Sequence, residues 1–185
     1  AELLAQSQAK VAVAKNAKDA TMKWDEELAK ISGAGAASQA KADAGPTNPT
    51  IEGLKKKILD NPQDTDSIFQ LATEYQNVEN WDGAVISWQK MINLLPDWTP
   101  AYYSQAYAYQ KAGNNEMAKL AYENFIAKTQ PADEAANKET LSFAYYVVAF
   151  MEKDINPAKA KSYIAKSVAL HPTPDEEKLN KQLNP

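Results

Sequence analysis

The side chains that most often carry catalysis or bind metals are few in this chain. His171 is the only histidine, and there is no cysteine, which excludes disulfides, thiolate nucleophiles and cysteine metal sites. His171 stands beside Pro172 at the end of a predicted helix, where a histidine commonly caps the helix C-terminus. As a base or a metal ligand His171 lacks a partner in the sequence, so we predict neither a catalytic nor a metal site there.

Two acidic runs and one glycine-rich stretch are the other candidates for chemistry. The runs are Asp-Glu-Glu at 25–27 and at 175–177. Adjacent positions splay around a helix, so both runs are predicted to be solvated faces or helix-start charges. GAGAAS at 33–38 lacks a preceding strand and a suitably placed lysine, so it does not form a phosphate-binding loop. We therefore expect a protein that is not an enzyme and binds no cofactor.

The charge balance argues against a nucleic-acid partner. The 185 residues carry 20 basic and 24 acidic side chains, a net charge of −4, and nucleic-acid binding requires a basic face. Every basic side chain is a lysine, so the bidentate fork with which arginine binds phosphates and carboxylates is missing.

Composition divides the chain into three parts. Residues 1–32 contain no Pro or Gly and predict one helix with a thin apolar stripe. Residues 33–50 are small, polar and interrupted by Gly and Pro, which predicts a flexible linker. Residues 51–185 contain helix-length segments with short polar breaks and no period-two alternation, which predicts an all-α domain. The stripe consists of Val13, Ala17, Ala20, Trp24, Leu28 and Ile31.

The N-terminal helix has two interpretations. It is either a loosely held solvated helix, or a stalk or docking segment of which only Trp24 to Ile31 is apolar enough to dock firmly. No window approaches the roughly 18 apolar residues of a membrane span, so no membrane insertion is expected of this chain itself. The stalk-like helix, the linker and the missing initiator Met favour a bacterial periplasmic protein, or one tethered outside the cytoplasm by an anchor upstream of Ala1. A cytoplasmic location is the alternative.

Two stretches of the helical domain repeat each other. Residues 66–97 align with residues 100–131 at an offset of 34, without a gap. Small residues recur where the two helices of a hairpin would cross closely, and aromatic residues recur where they would fill the remaining space. The matched pairs are Ala72 with Ala106, Tyr75 with Tyr109, Ala84 with Ala118, and Trp88 with Tyr122, and Pro62, Pro96 and Pro131 end the second helices.

This pattern resembles the tetratricopeptide repeat (TPR) of bacterial proteins over roughly 120 of the 185 residues. The resemblance implies a right-handed superhelix of antiparallel helix pairs, with about three repeats. A half-unit precedes the two full repeats, and a stretched third unit ends in a closing helix at 174–183. In the third unit Ala160 matches the small position of the second helix, and the first helix is expected to begin near Pro131 or Asp133. Residues 147–149 could supply its packing positions, in a register ambiguous by one.

In TPR proteins the first helix of each hairpin lines a groove that holds a peptide, and the resemblance implies such a groove here. Aromatic side chains with interleaved amides would offer large contact area at low entropic cost. The alternative is that these aromatics pack against the N-terminal helix or the next hairpin. The expected groove residues are Phe69, Thr73, Gln76, Asn77, Tyr103, Tyr107, Gln110, Lys111 and Tyr145, followed on the third unit by Ala149 and Lys153.

The resemblance thus predicts a non-catalytic scaffold or adaptor for a protein or peptide partner. Residues 54–76 also resemble the opening of TPR domains in bacterial membrane-anchored assembly proteins, which suggests an assembly factor for a membrane or envelope complex. The alternative hypothesis is a structural protein that self-associates through the N-terminal helix and the edge hairpins.

Overall fold

The computed structural model describes residues 48–184, and this part of the chain is all-α, as predicted. Each helix contacts the helix that follows it in the sequence. The predicted helix at 1–32 and most of the predicted linker lie outside the described residues. The helices are α1 Pro49–Asp60, α2 Thr65–Asn77, α3 Trp81–Leu94, α4 Thr99–Lys111, α5 Asn115–Lys128, α6 Lys138–Glu152, α7 Pro157–Leu170 and α8 Pro174–Leu183.

The helices pair as three hairpins, α2/α3, α4/α5 and α6/α7, between a lone α1 and a closing α8. The small residues predicted for the crossings of the first two hairpins are fully buried, and large aromatic residues fill the space around them. Gly83 permits one of the closest approaches, since a Cβ added there would lie 2.7 Å from Cδ1 of Tyr75. The alternation of small and large residues therefore sets how closely the paired helices approach.

The second helix of every hairpin begins at an asparagine. Asn80 caps α3, Asn114 caps α5 and Asn156 caps α7. Their side-chain oxygens accept from the backbone N–H three residues later, at 3.0, 3.2 and 3.2 Å. Such a cap satisfies a backbone donor that the first helical turn leaves unpaired. The asparagines therefore mark the same turn in all three hairpins.

The connection before the third hairpin is longer than the one before the second. Residues 95–98 join α3 to α4, whereas residues 129–137 join α5 to α6 and include a 3₁₀ turn at Pro131–Asp133. The expectation that α6 begins near Pro131 or Asp133 is therefore wrong. Gln130 is extended before Pro131, as residues before proline prefer, and only one helical turn forms there. The α-helix begins after Asn137, whose carbonyl accepts from the Leu141 N–H at 2.8 Å.

Side-chain contacts resolve the register of the third hairpin. In the first hairpin the residue three after the small Ala72 is Tyr75, and its ring lies against Gly83. The corresponding contact in the third hairpin joins Glu152 to Lys159, which makes Ala149 the small residue of α6. Ala149 is fully buried and stands eleven residues before Ala160. The spacing in the other two hairpins is twelve. The difference arises because α6 ends at Glu152, three residues after its small residue, whereas α2 and α4 end five residues after theirs.

A group of ion pairs joins the second hairpin to the third. Glu152 Oε1 on α6 accepts from Lys119 Nζ on α5 at 2.9 Å and lies 3.6 Å from Lys159 Nζ on α7. Lys159 also pairs with Glu123 on α5. The hydrogen bond from Lys119 lowers the pKa of Glu152, and the bond to Glu123 raises the pKa of Lys159. Three helices are therefore held together by charge at this point.

The closing helix α8 is attached through a buried carboxylate. Glu176 Oε2 accepts from the Thr173 N–H at 2.8 Å in a capping box, and Oε1 accepts from Ser142 Oγ on α6 at 2.9 Å. Asp175 and Glu177 are exposed, in line with the predicted solvated charges, but Glu176 is buried. The difference arises because the capping box turns Glu176 back against its own helix start, where Ser142 reaches it.

Candidate peptide-binding groove

The first helices α2, α4 and α6 form the face that we call the groove. On α2, Phe69 is 44% exposed, and its ring meets Trp88 and Trp98 edge-on, with centroids 5.6 and 6.0 Å apart. Thr73 Oγ1 donates to the Phe69 carbonyl at 3.0 Å, so this hydroxyl is used within the helix. Phe69 is thus a supported aromatic side chain with an open surface.

The last turn of α2 is polar. Gln76 is half-buried, whereas Asn77 is exposed and donates through Nδ2 to Glu74 Oε2 at 3.3 Å. The other oxygen of Glu74 accepts from Asn48 Nδ2 at 3.1 Å. The segment that precedes α1 therefore joins the domain beside this end of the groove.

Two predicted groove tyrosines on α4 have different surroundings. Tyr103 is half-buried against Tyr122, Phe125 and Phe143, with ring centroids 5.9, 5.4 and 6.5 Å away. This burial raises the pKa of Tyr103. The geometry corresponds to the alternative expectation for Tyr103, because Phe143 belongs to the first helix of the next hairpin.

Tyr107 on α4 is also half-buried, but its ring contact is with the preceding hairpin. Its ring meets Trp81 edge-on at 6.0 Å, and Lys111 Nζ lies 5.3 Å from the ring centroid. Gln110 Oε1 accepts from the Tyr122 hydroxyl at 2.9 Å, which leaves the amide nitrogen of Gln110 as a donor. Tyr107, Gln110 and Lys111 therefore bring an aromatic ring, an amide and a cation together along α4.

The eleven-residue spacing between Ala149 and Ala160 places the predicted residue Tyr145 away from the groove and towards α7. Its ring packs edge-on against Tyr163 of α7 at 5.2 Å, and Lys166 Nζ lies 5.4 Å from its centroid. Tyr146 and Phe150 occupy the positions equivalent to Phe69 and Thr73 of α2. The sequence reasoning missed both, although the eleven-residue spacing between small residues was the signal that could have identified them.

A cleft lies between α4 and α6. Its volume is about 500 Å³, and it combines partly exposed apolar side chains with amides and charges. Phe150 is 51% exposed and stacks at 6.4 Å on Tyr146. The residues that line this α4–α6 cleft include Gln110, Asn115, Tyr146, Phe150, Met151 and Lys153. A mixed lining of this kind suits an apolar anchor with polar groups beside it.

The described residues offer little for metal binding or acid–base chemistry. Residues 48–184 contain no group of three or more acidic or histidine side chains placed to hold a metal ion. His171 ends α7, where its N–H donates to the Ser167 carbonyl at 3.1 Å. Its Nε2 lies 4.0 Å from Glu139 Oε1, and that carboxylate is largely exposed. None of the helices in this range is long and apolar enough to cross a membrane.

No family model matches the sequence, and no curated protein matches it. Solved structures do match. Residues 41 to the end of MamA from Desulfovibrio magneticus RS-1 are 21% identical with a TM-score of 0.57, over 80% of this chain and 79% of that chain. Two further crystal structures of MamA are 19% and 20% identical, with TM-scores of 0.51 and 0.50. The first of these matches covers 72% of this chain and 84% of the MamA chain, and the second covers 93% and 90%.

These matches bear on the fold. MamA is a TPR-like superhelical protein, and the chain described here is accordingly an all-α, TPR-like right-handed superhelix of antiparallel helix pairs. The likeness to MamA concerns the fold. The ligand of the groove depends on the side chains of α2, α4 and α6.

Proposed function

We infer that this protein is a non-catalytic scaffold that binds a segment of a protein partner in the groove of α2, α4 and α6. The observation that carries this proposal is a row of partly exposed aromatic rings on the three first helices. Phe69, Tyr107 and Phe150 each present open surface while a neighbouring ring or cation supports them. Aromatic rings held in this way bury large areas on binding and lose little entropy.

Polar groups beside these rings support a peptide as the ligand. Gln76, Gln110 and Asn115 provide amides that can pair with the backbone of an extended or helical segment. The α4–α6 cleft offers one pocket for an apolar anchor. A second cavity of about 490 Å³ lies between α1 and the first hairpin, but none of the expected groove residues lines it. We therefore place the main anchor in the α4–α6 cleft.

Self-association through the edge helices is less well supported. A repeat array that stacks end to end needs apolar outer faces, whereas terminal helices that remain soluble carry polar ones. Most exposed positions of α1 and α8 are charged or polar, and Leu59 on α1, at 80% exposure, is an apolar exception. The exposed charged residues there are Glu52, Lys56, Lys57, Glu177, Lys178 and Lys181. Within the described range, the edges therefore favour a terminated superhelix over a polymer.

Selection of displayed random peptides on the immobilised full chain tests the groove. We expect selected peptides to lose at least tenfold in affinity for a Tyr107→Ala, Phe150→Ala double variant. Leu120→Ala is the matched control, because Leu120 is 49% exposed on α5 and does not line the cleft. Tyr103→Ala is unsuitable, since the half-buried Tyr103 packs against Tyr122, Phe125 and Phe143 and its loss would also affect stability. Equal affinity for the double variant and the control would contradict the proposal.

A further inference from the structure

The third-hairpin end of the groove brings apolar and cationic groups together. Lys153 Nζ lies 4.8 Å from the centroid of the exposed Phe150 ring, and Lys111 has a similar position over Tyr107. Asp154, whose side chain is 85% exposed, pairs with Lys153 at 3.3 Å and offsets one of the two positive charges. An occupant suited to this end has apolar side chains for the two rings and carboxylates for the lysines.

Residues 24–31 of the same chain, Trp-Asp-Glu-Glu-Leu-Ala-Lys-Ile, have this chemistry. Trp24, Leu28 and Ile31 stand four and three residues apart, a spacing that places them on one face of a helix. Three carboxylates at 25–27 lie between the apolar residues, and with Lys30 they give the segment a net charge of −2. The segment therefore complements both the rings and the lysines of the groove.

The chain enters the domain at a place from which this segment can reach the cleft. Asn48 and Asn77 donate to the two oxygens of Glu74, so the entering chain lies beside the last turn of α2. Residues 32–47, the 16 residues between this segment and Asn48, fall almost entirely in the stretch whose composition predicts a flexible linker. A flexible chain of that length spans about 22 Å on average. Helices pack about 8–10 Å apart, so α6 lies roughly 20 Å from α2, two helix steps across the groove.

We propose that residues 24–31 occupy the groove of their own molecule. Trp24, Leu28 and Ile31 pack against the rings of the α4–α6 cleft, and the acidic residues lie beside Lys111 and Lys153. A short flexible tether gives an effective concentration on the order of 1 mM, so an incoming partner has to displace the segment. The docking itself needs no partner, and only its inhibitory consequence rests on the proposed peptide-binding role.

Disulfide trapping in the full chain tests the docking, because the natural sequence contains no cysteine to give background. Glu27→Cys is combined with Asn115→Cys, which lines the cleft but is not one of the rings or lysines. The matched control combines Glu27→Cys with Leu120→Cys on the same helix. Under mild oxidation at micromolar protein, we expect the cleft pair to form an intramolecular disulfide at least tenfold faster than the control. Circular dichroism establishes that both variants are folded.

Additional substitutions make the result specific. Adding Trp24→Ala and Leu28→Ala to the cleft pair is expected to reduce its rate to that of the control. Equal rates of disulfide formation for the two pairs would overturn the proposal. An unchanged rate for the cleft pair after Trp24→Ala and Leu28→Ala would overturn it as well. Mainly cross-linked dimers would also overturn it, because the segment would then reach a second copy.

A peptide-binding measurement separates this inference from the proposed function. The Trp24→Ala, Leu28→Ala variant is expected to bind selected peptides at least tenfold more tightly than the natural chain. Equal binding by the two chains would remove the inhibitory role while leaving the groove as a peptide site. Absence of peptide binding by both chains would contradict the proposed function without affecting the trapping result.

Discussion

The second and third hairpins fill the same position with different chemistry. Three residues after the small residue of the first helix, α4 has Tyr109, whose burial raises its pKa. At the equivalent place α6 has Glu152, which pairs with Lys119 and Lys159. An aromatic ring and a paired carboxylate thus serve as alternatives at one packing site. Because the carboxylate needs cations on both neighbouring helices, the third hairpin depends on the second for its charge balance.

The two hairpins also differ in how they depart from the 34-residue period. Extra residues lie in the connection between α5 and α6, and the distance along the sequence from Ala149 to Ala160 is one residue less than that from Ala106 to Ala118. The departures leave the helix crossings intact, since Ala149 and Ala160 are as fully buried as Ala106 and Ala118. Packing between helices therefore defines a structural position more reliably than distance along the sequence.

The strongest test of this comparison is Ala149→Leu. If Ala149 is the small residue at the crossing, the larger side chain overpacks the core, and we expect a loss of about 2–3 kcal/mol in the free energy of unfolding. The neighbouring Phe150→Leu lies on the open groove face and should cost less than about 1 kcal/mol. Urea denaturation measures both changes. If Ala149→Leu left the free energy of unfolding unchanged, Ala149 could not be the small residue at the crossing. Ala149 would then face the groove, and the register of α6 would differ by one residue.

Glu152→Gln tests the contribution of the paired carboxylate at the position that Tyr109 occupies in the second hairpin. We expect this change to lower the free energy of unfolding by about 1–2 kcal/mol. The pKa of Glu152 is lowered from its ordinary value of 4.5, so its stabilisation is present above that pH and is lost as the pH falls through the lowered pKa. The difference between natural and variant chains should therefore shrink in acid. Tyr109→Phe is the control at the equivalent site, and an acid-dependent difference for it would contradict this explanation.

The capping asparagines test what the hairpins share. Asn80→Ala, Asn114→Ala and Asn156→Ala are each expected to lower the free energy of unfolding by about 1 kcal/mol. Nearly equal losses are expected because the three caps have the same geometry. A loss confined to the first two hairpins, measured by thermal or urea unfolding, would show that the different turn between α6 and α7 has weakened the third cap.

The smallest effect is expected from lengthening the longer connection. Two glycines inserted after Ala135 should cost less than about 0.5 kcal/mol, since loop-closure entropy rises slowly with length. The same insertion after Pro96 should cost more. It separates Trp98 from its contact with Phe69 and disturbs the Tyr102 hydroxyl bond to the Pro96 carbonyl, which is 2.8 Å long. Equal costs would mean that the two connections are equally tolerant of added length.

Much of the fold was predictable because local patterns determine it. The small residues Ala72, Ala106, Ala84 and Ala118 recur with period 34, and each is buried in a hairpin. The start of α6 was not predictable from Pro131, because a proline can open a 3₁₀ turn as readily as an α-helix.

The groove was less predictable, because exposure depends on neighbours distant in the sequence. Phe69 is exposed, whereas Tyr107 is half-buried beside Trp81 and Tyr103 is half-buried beside Phe143, which follows the long connection. Tyr145 was selected over Tyr146 because a difference of one residue in the spacing of the small residues changes which of two adjacent side chains faces the groove. The repeat pattern specifies which helices line the groove, and only the packing of the next hairpin specifies which rings remain accessible.

The ion pairs around Glu152 have a consequence for how the groove responds to its surroundings. The covalent connection between the second and third hairpins is the long, largely exposed segment 129–137. The angle between them is therefore set by side-chain contacts, which are the aromatic packing around Phe143 and these ion pairs. Lys119 and Lys159 are partly solvent-exposed, and salt weakens such contacts. The opening of the α4–α6 cleft should therefore vary with ionic strength, so that even an uncharged ligand would bind with a salt-dependent affinity.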